Sequence, residues 1–263
     1  MRSSRIVGTT AALVILGLLA LVVLRVTSSA TPTGAPAHLT VGPGPLKTAT
    51  GTLTYTDTNG LSVSATSAFD FTNSRADVTV NASLSIASVN VEVRIDGTTA
   101  YVSDQAFSTL TGAPWVTLSI PRAPASIARI GAFLRDPSVV APHARREIIL
   151  IKKNVTTTIL DYGTVHVPST AGLPVHLPGS GHLIVTYSTG AQGQLLSVTV
   201  HLKGVADDVH ATFTVTGYDV PVSVSVPTPS QTVPLTPSRA KDIFGTNAPA
   251  VLHALQRIGA SIG

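Results

Sequence analysis

Three histidines, His166, His176 and His182, crowd the stretch VHVPSTAGLPVHLPGSGH. Neutral imidazoles bind transition metals, but this spacing fits no standard zinc pattern, and no cysteine or nearby carboxylate cluster completes it. The three are read as solvated loop histidines. Asp207-Asp208 with His210 is read as a polar strand connection. SRAK, Ser238 to Lys241, matches the S-x-x-K of acyl-transfer enzymes but lacks the accompanying motifs. Gly179-Ser180-Gly181 is not a nucleophile elbow, which needs one residue between the serine and each glycine. Asn81-Ala82-Ser83 and Asn154-Val155-Thr156 are acceptor sequons by rule. The chain contains no cysteine, which excludes disulfides, thiolate metal sites, cysteine nucleophiles and a lipid-modified cysteine. The residues therefore point to a protein that is not an enzyme, with neither cofactor nor metal.

The composition points the same way. Charged residues are 11% of the 263, and the net charge is +4. The only basic pairs are Arg145-Arg146 and Lys152-Lys153, far short of a nucleic-acid footprint, so no nucleic-acid partner is expected. Abundant Ser, Thr, Val and Ala suit long β-strands.

Arg2 and Arg5 precede an uncharged apolar run, Ile6 to Leu24, which Arg25 closes. It is long enough to cross a bilayer and long for a signal-peptide core. Residues 1–27 are read as a transmembrane anchor or signal segment, since Ser28-Ser29-Ala30 would tolerate a signal peptidase. The leading arginines favour a cytoplasmic N-terminus. The expected location is then a single pass through the cytoplasmic membrane by residues 6–24, with the C-terminal domain extracytoplasmic. Residues 28–46, rich in Pro, Gly and small polar residues, read as a tether.

Residues 47–236 are read as one half-barrel domain, whose strands alternate with period two on either side of a helical stretch. Leu61, Val63, Ala65, Phe69 and Phe71 are apolar on odd positions; Val78, Val80, Ala82, Leu84 and Ile86 on even ones. The phase flips at Ala87-Ser88, and Val89, Val91, Val93 and Ile95 continue on odd positions. A one-residue slip swaps a strand's faces, so the flip marks a turn or bulge. Asp96-Gly97 is a tight-turn signal. Leu183, Val185 and Tyr187 alternate, as do Leu196, Val198, Val200 and Leu202, then Val209, Ala211, Phe213 and Val215, then Val220, Val222, Val224 and Val226. Asp70, Asn90, Glu92, Arg94 and His201 should face water. Ile127, Ile130, Phe133 and Leu134 have helical spacing, stopped by Asp136-Pro137. A hairpin is expected to turn near Lys153-Asn154. Residues 237–263 offer an amphipathic helix around Val251, Leu252, Leu255 and Ile258, with Asn247 as its cap. The fold class is mainly β (α+β): a curved antiparallel half-barrel sheet partly covered by short helices, preceded by one N-terminal transmembrane helix.

VRIDGTTAYVSDQAFSTLTGAPWVTLSI, with the later VTTTILDYGTVHVP and FTVTGYDVPVSVSVPTPSQTVPL, resembles the actinobacterial LppX/LprG-like lipoproteins, which share the LolA/LolB-like half-barrel. The resemblance covers about residues 47 to 235. The family's lipobox cysteine is absent, and the tether replaces the helix that usually precedes its first strand. The resemblance implies an extracytoplasmic protein of cell-envelope lipid handling, with an acylated lipid or glycolipid as its partner. The face expected to line an acyl chain is Phe69, Phe71, Leu84, Val91, Val93, Ile127, Ile130, Phe133, Leu134, Val185, Tyr187, Val200 and Phe213. Trp115 would open a strand and plug one end of the barrel. The alternative is a non-catalytic structural or sensory ectodomain that binds a protein partner.

Overall fold

The structure is a computed structural model; it describes residues 45–58, 60–84, 87–105, 107–138, 144–166, 180–205, 208–249 and 251–252. The apolar run 6–24 and nearly all of the tether lie outside the described residues. None of the described helices is long and apolar enough to cross a membrane.

The described residues are mainly β: one large, open, curved sheet of twelve strands with few short helices. Its strands are β1 (Thr48–Asp57), β2 (Ser62–Asp70), β3 (Arg75–Leu84), β4 (Ala87–Asp96), β5 (Thr99–Asp104), β6 (Trp115–Ser119), β7 (Arg146–Lys152), β8 (Val155–His166), β9 (Ser180–Thr189), β10 (Leu195–Lys203), β11 (Asp208–Tyr218) and β12 (Thr232–Pro234). Their spatial order is β12-β6-β5-β4-β3-β2-β1-β11-β10-β9-β8-β7. Neighbours are antiparallel except β12, which joins β6 in parallel. The helices are α1 (Phe107–Thr111), α2 (Ala123–Arg135) and α3 (Pro237–Phe244).

Period-two patterning sets which face each side chain takes. On β2, Val63, Ala65 and Phe69 are buried, while Ser62, Ser64 and Thr66 between them are exposed. The phase flip after β3 is a hairpin: Ser83 faces Ser88 and Leu84 faces Ala87, which returns odd positions to the inner face. The turns carry their own chemistry. After β2, the Asp70 carboxylate accepts from the backbone N–H of Asn73 at 3.0 Å and from its side-chain amide at 2.7 Å. Gly97 adopts φ +57° between β4 and β5, where a side chain would be strained. The β7–β8 hairpin turns at Lys153-Asn154.

Helix α2 starts with Pro124 in its first turn and ends before Pro137, whose ring cannot continue it. Helix α3 begins where the Thr236 hydroxyl accepts from the Arg239 N–H at 3.2 Å. This helix lies ahead of the one expected near Val251. Helical backbone resumes at Ala248, and Val251 is buried beside α3. Leu255 and Ile258 lie outside the described residues, as does the Asn247 side chain.

Three expectations are corrected. Val220 to Val226 do not form a strand. Asp219, with φ +52°, ends β11, and Pro221 and Pro227 lack the N–H that a ladder needs. The segment instead crosses the outer face, where the Thr48 hydroxyl donates to the Val220 carbonyl (2.7 Å) and Arg94 to the Ser225 carbonyl (2.9 Å). In β10, a register shift between Leu195 and Ser197 buries Leu195 in place of Leu196. Trp115 does not plug an end of the sheet's inner face. Its neighbour Val116 takes the inner face, and Trp115 is buried beneath the Arg94 guanidinium, 4.5 Å from the ring centre. That contact is a cation–π pair on the outer face.

Candidate functional site

The inner face divides between two helical covers. Ile243 and Phe244 of α3 pack with Val91, Val93, Ala100, Val102, Phe107, Val116 and Leu118 in one buried cluster. It is closely packed, with a void of about 10 Å³ among Val102, Phe107, Leu118 and Phe244, room for roughly one water. Under α2 the lining is different. Phe133 and Leu134 pack on Leu160, Val185, Tyr187, Leu195 and Val198, while Ile127 packs on Phe69 and Ala76. Phe71, Ile130 and Phe213 join these last two clusters.

The structure thus brings Ile127, Ile130, Phe133 and Leu134 of α2 together with Phe69, Phe71, Val185, Tyr187, Val200 and Phe213. It sets Val91 and Val93 apart beneath α3, with Ile95 bridging the two regions. The Leu84 side chain lies outside the described residues. A fourth cluster, Tyr55, Leu61, Val63, Ala65, Val80, Ala82, Leu202 and Val209, closes the inner face away from the helices.

The α2 clusters are bordered by an apolar seam whose side chains are only partly buried. Phe71, Ile130, Leu183, Val200, Phe213 and Val215 are each only partly buried along it. Two glycines make room for its aromatic rings. Phe71 stacks on Phe69 with ring centres 5.9 Å apart, and a Cβ at Gly131 of α2 would come within 3.0 Å of the Phe71 ring. A Cβ at Gly51 would overlap the Phe213 ring and reach 3.0 Å from the Thr214 carbonyl. Gly51→Val is therefore expected to push Phe213 from its place and to destabilise the fold by about 1–3 kcal/mol. Urea denaturation beside wild type measures this, and an unchanged midpoint would contradict it.

Three tyrosines bring hydroxyl groups into this region. The Tyr218 hydroxyl donates to the Leu195 carbonyl at 2.6 Å, with the Leu134 carbonyl at 3.3 Å, which ties β11 to β10 and to the end of α2. Burial pushes Tyr162 up to about 12 and raises Tyr187 and Tyr218 as well, so all three hydroxyls stay neutral at ordinary pH. These three hydroxyls therefore offer a headgroup hydrogen bonds and no charge.

The outer face is polar. A shallow groove of about 430 Å³ lies between Thr50, Thr52, Thr66, Asp77 and Thr79 on the strands and Pro221 to Ser223 on the crossing segment. Asn90 is exposed, as expected; Glu92 and Arg94 are partly covered, and Arg94 pairs with Asp77 at 3.4 Å and with Glu92 at 3.2 Å. Burial raises the Asp77 pKa, Arg94 opposing it and Glu92 adding to it.

Ser238 and Lys241 are both exposed on α3. His182 meets Asp161 at 2.9 Å and His166 is exposed, while His176 lies outside the described residues. Sequence reasoning missed a different grouping. His201, Asp208 and His210 converge on the outer face, their ligand atoms all within 4.8 Å of one another. The signal was the pattern H-x6-D-x-H across a turn, in which the period of two keeps Asp208 and His210 on one face.

No family model matches the chain, and no curated protein matches its sequence.

Proposed function

We propose that the chain is a membrane-anchored extracytoplasmic protein that binds the acyl chains of a lipid or glycolipid in cell-envelope lipid handling. In this reading the curved sheet is a half-barrel of the LppX/LprG-like kind, held to the membrane by residues 6–24. The observation that carries it is the seam. Phe71, Ile130, Leu183, Val200, Phe213 and Val215 remain partly open on an apolar inner face, where water contact costs about 25 cal/mol per Å². An acyl chain laid along them removes that cost without needing a charged partner. The chemistry is binding, with no reaction and no cofactor. Titrating the purified full-length chain with a fluorescent fatty acid tests it. Saturable binding displaced by unlabelled lipid supports the reading, and no saturable signal overturns it.

A second reading, an ectodomain that binds a protein partner, is favoured by the edge strand β7. Ile149, Leu150 and Ile151 are 56%, 53% and 76% exposed there, and among the described residues no strand pairs with the outer side of β7. An extended segment of a partner could add to that edge.

A further inference from the structure

We infer that His201, Asp208 and His210 form a binding site for one divalent transition-metal ion, zinc or copper(II), on the outer face of the β10–β11 hairpin. The site does not depend on the lipid reading, because it lies on the opposite face of the sheet from the seam. Val200 and Leu202 turn inward on β10, so His201 between them turns outward. His201 stands directly across the ladder from His210, and Asp208 precedes His210 by one period of the strand. The register alone therefore gathers the three side chains.

Their geometry goes further. Nε2 of His201 lies 2.6 Å from Oδ1 of Asp208, and Nε2 of His210 lies 3.6 Å from the same oxygen. The rings are stacked, with centres 4.0 Å apart and planes 20° apart. A zinc ion sits about 2.0–2.2 Å from nitrogen and carboxylate ligands, so three donors already this close need only rotate their partly exposed side chains to enclose one. The Asp208 backbone is held from outside the hairpin: Thr58 N–H donates to its carbonyl at 3.2 Å, and its own N–H donates to the Thr58 hydroxyl at 3.3 Å. Two nitrogens and one oxygen suit a borderline ion such as Zn²⁺ or Cu²⁺, whereas calcium and magnesium take oxygen ligands. Three protein ligands leave a further position for water or for a group from a partner. Lys203, opposite Asp208 in the ladder, opposes the cation's charge and limits its affinity.

The test is isothermal titration of the metal-stripped full-length chain, purified without a histidine tag, with zinc chloride. Cobalt(II) absorbance serves as a second readout of coordination geometry. The expected result is one zinc per chain and a tetrahedral cobalt spectrum. Loss of even a group behind a ligand costs about 10–100-fold in affinity, so His201→Ala and His210→Ala should each weaken zinc at least about tenfold. His182→Ala, on another strand, should leave binding unchanged. Circular dichroism checks that the variants are folded. Absence of binding at millimolar zinc overturns the proposal. So does binding that survives both His201→Ala and His210→Ala, because the metal would then sit on the chain's other histidines.

Discussion

Val200→Lys is expected to weaken acyl-chain binding by about 100-fold while the protein stays folded. Val200 points to the inner face from β10 and is only partly buried, at the margin of the cluster beneath α2. A lysine stem can lie along that apolar surface and carry its ammonium toward water, so the fold loses on the order of 1–2 kcal/mol. A bound acyl chain closes the route to water. The ammonium must then be desolvated or the chain displaced, and even a few kcal/mol corresponds to about 100-fold in affinity. Fatty-acid titration reads the binding and urea denaturation reads the fold. Unchanged affinity would mean that the probe binds elsewhere. The partial exposure of Val200 is what makes the experiment informative. Val91 is 0% exposed beneath α3, and a charge there would unfold the region before any question of binding arose.

Phe244→Ala is expected to cost about 3–5 kcal/mol, the range for removing a fully packed aromatic. Phe244 is 1% exposed and ends α3, where it packs with Phe107, Ile243 and Leu118. Little free volume lies beneath it, so the lost ring leaves a cavity bounded by short elements. These are α1, α3 and the three-residue strand β12, which among the described residues joins the sheet only through β6. Denaturant unfolding measures the loss, and a cost below about 1 kcal/mol would show that this cover is not a packed core. Because Phe244 lies apart from the seam, the variant should keep its acyl-chain affinity in conditions where it is folded. A parallel fall in both would contradict the division of the inner face into two covers.

The parts of this fold that sequence reveals are those governed by local rules. The alternation of β2, β3, β4, β9 and β11 names their inner residues because side chains repeat every two positions. Asp96-Gly97 marks the β4–β5 turn, and Asp136-Pro137 marks the end of α2. What escaped depends on longer-range geometry. Helix α1 spans five residues, too few to display a helical period. Helix α3 was hidden because its first turn read as a weak S-x-x-K match, although Thr236-Pro237 is a serviceable start signal. Val220 to Val226 alternate like a strand, yet their prolines and Asp219 lift them off the ladder and across the outer face. The bulge at Leu195 shifts one strand by a residue, which no period-two count can anticipate. The division of the lining is likewise a matter of chain topology. Val91 and Phe213 look equivalent in sequence, but one lies under a helix from the end of the described chain and the other beside a helix from its middle. The pairing of His201 with His210 appears only once the hairpin register is known.

The claim that the seam holds an acyl chain is tested most directly by mass spectrometry of organic extracts from the purified full-length protein, run beside Val200→Lys prepared in the same detergent. The variant accounts for any lipid carried by residues 6–24 alone. The account predicts an acylated lipid or glycolipid that accompanies the wild type in near-stoichiometric amount and is lost from the variant. Extracts that are alike from both proteins, with no lipid enriched in the wild type, would contradict it and leave the protein-binding edge at β7 as the better reading.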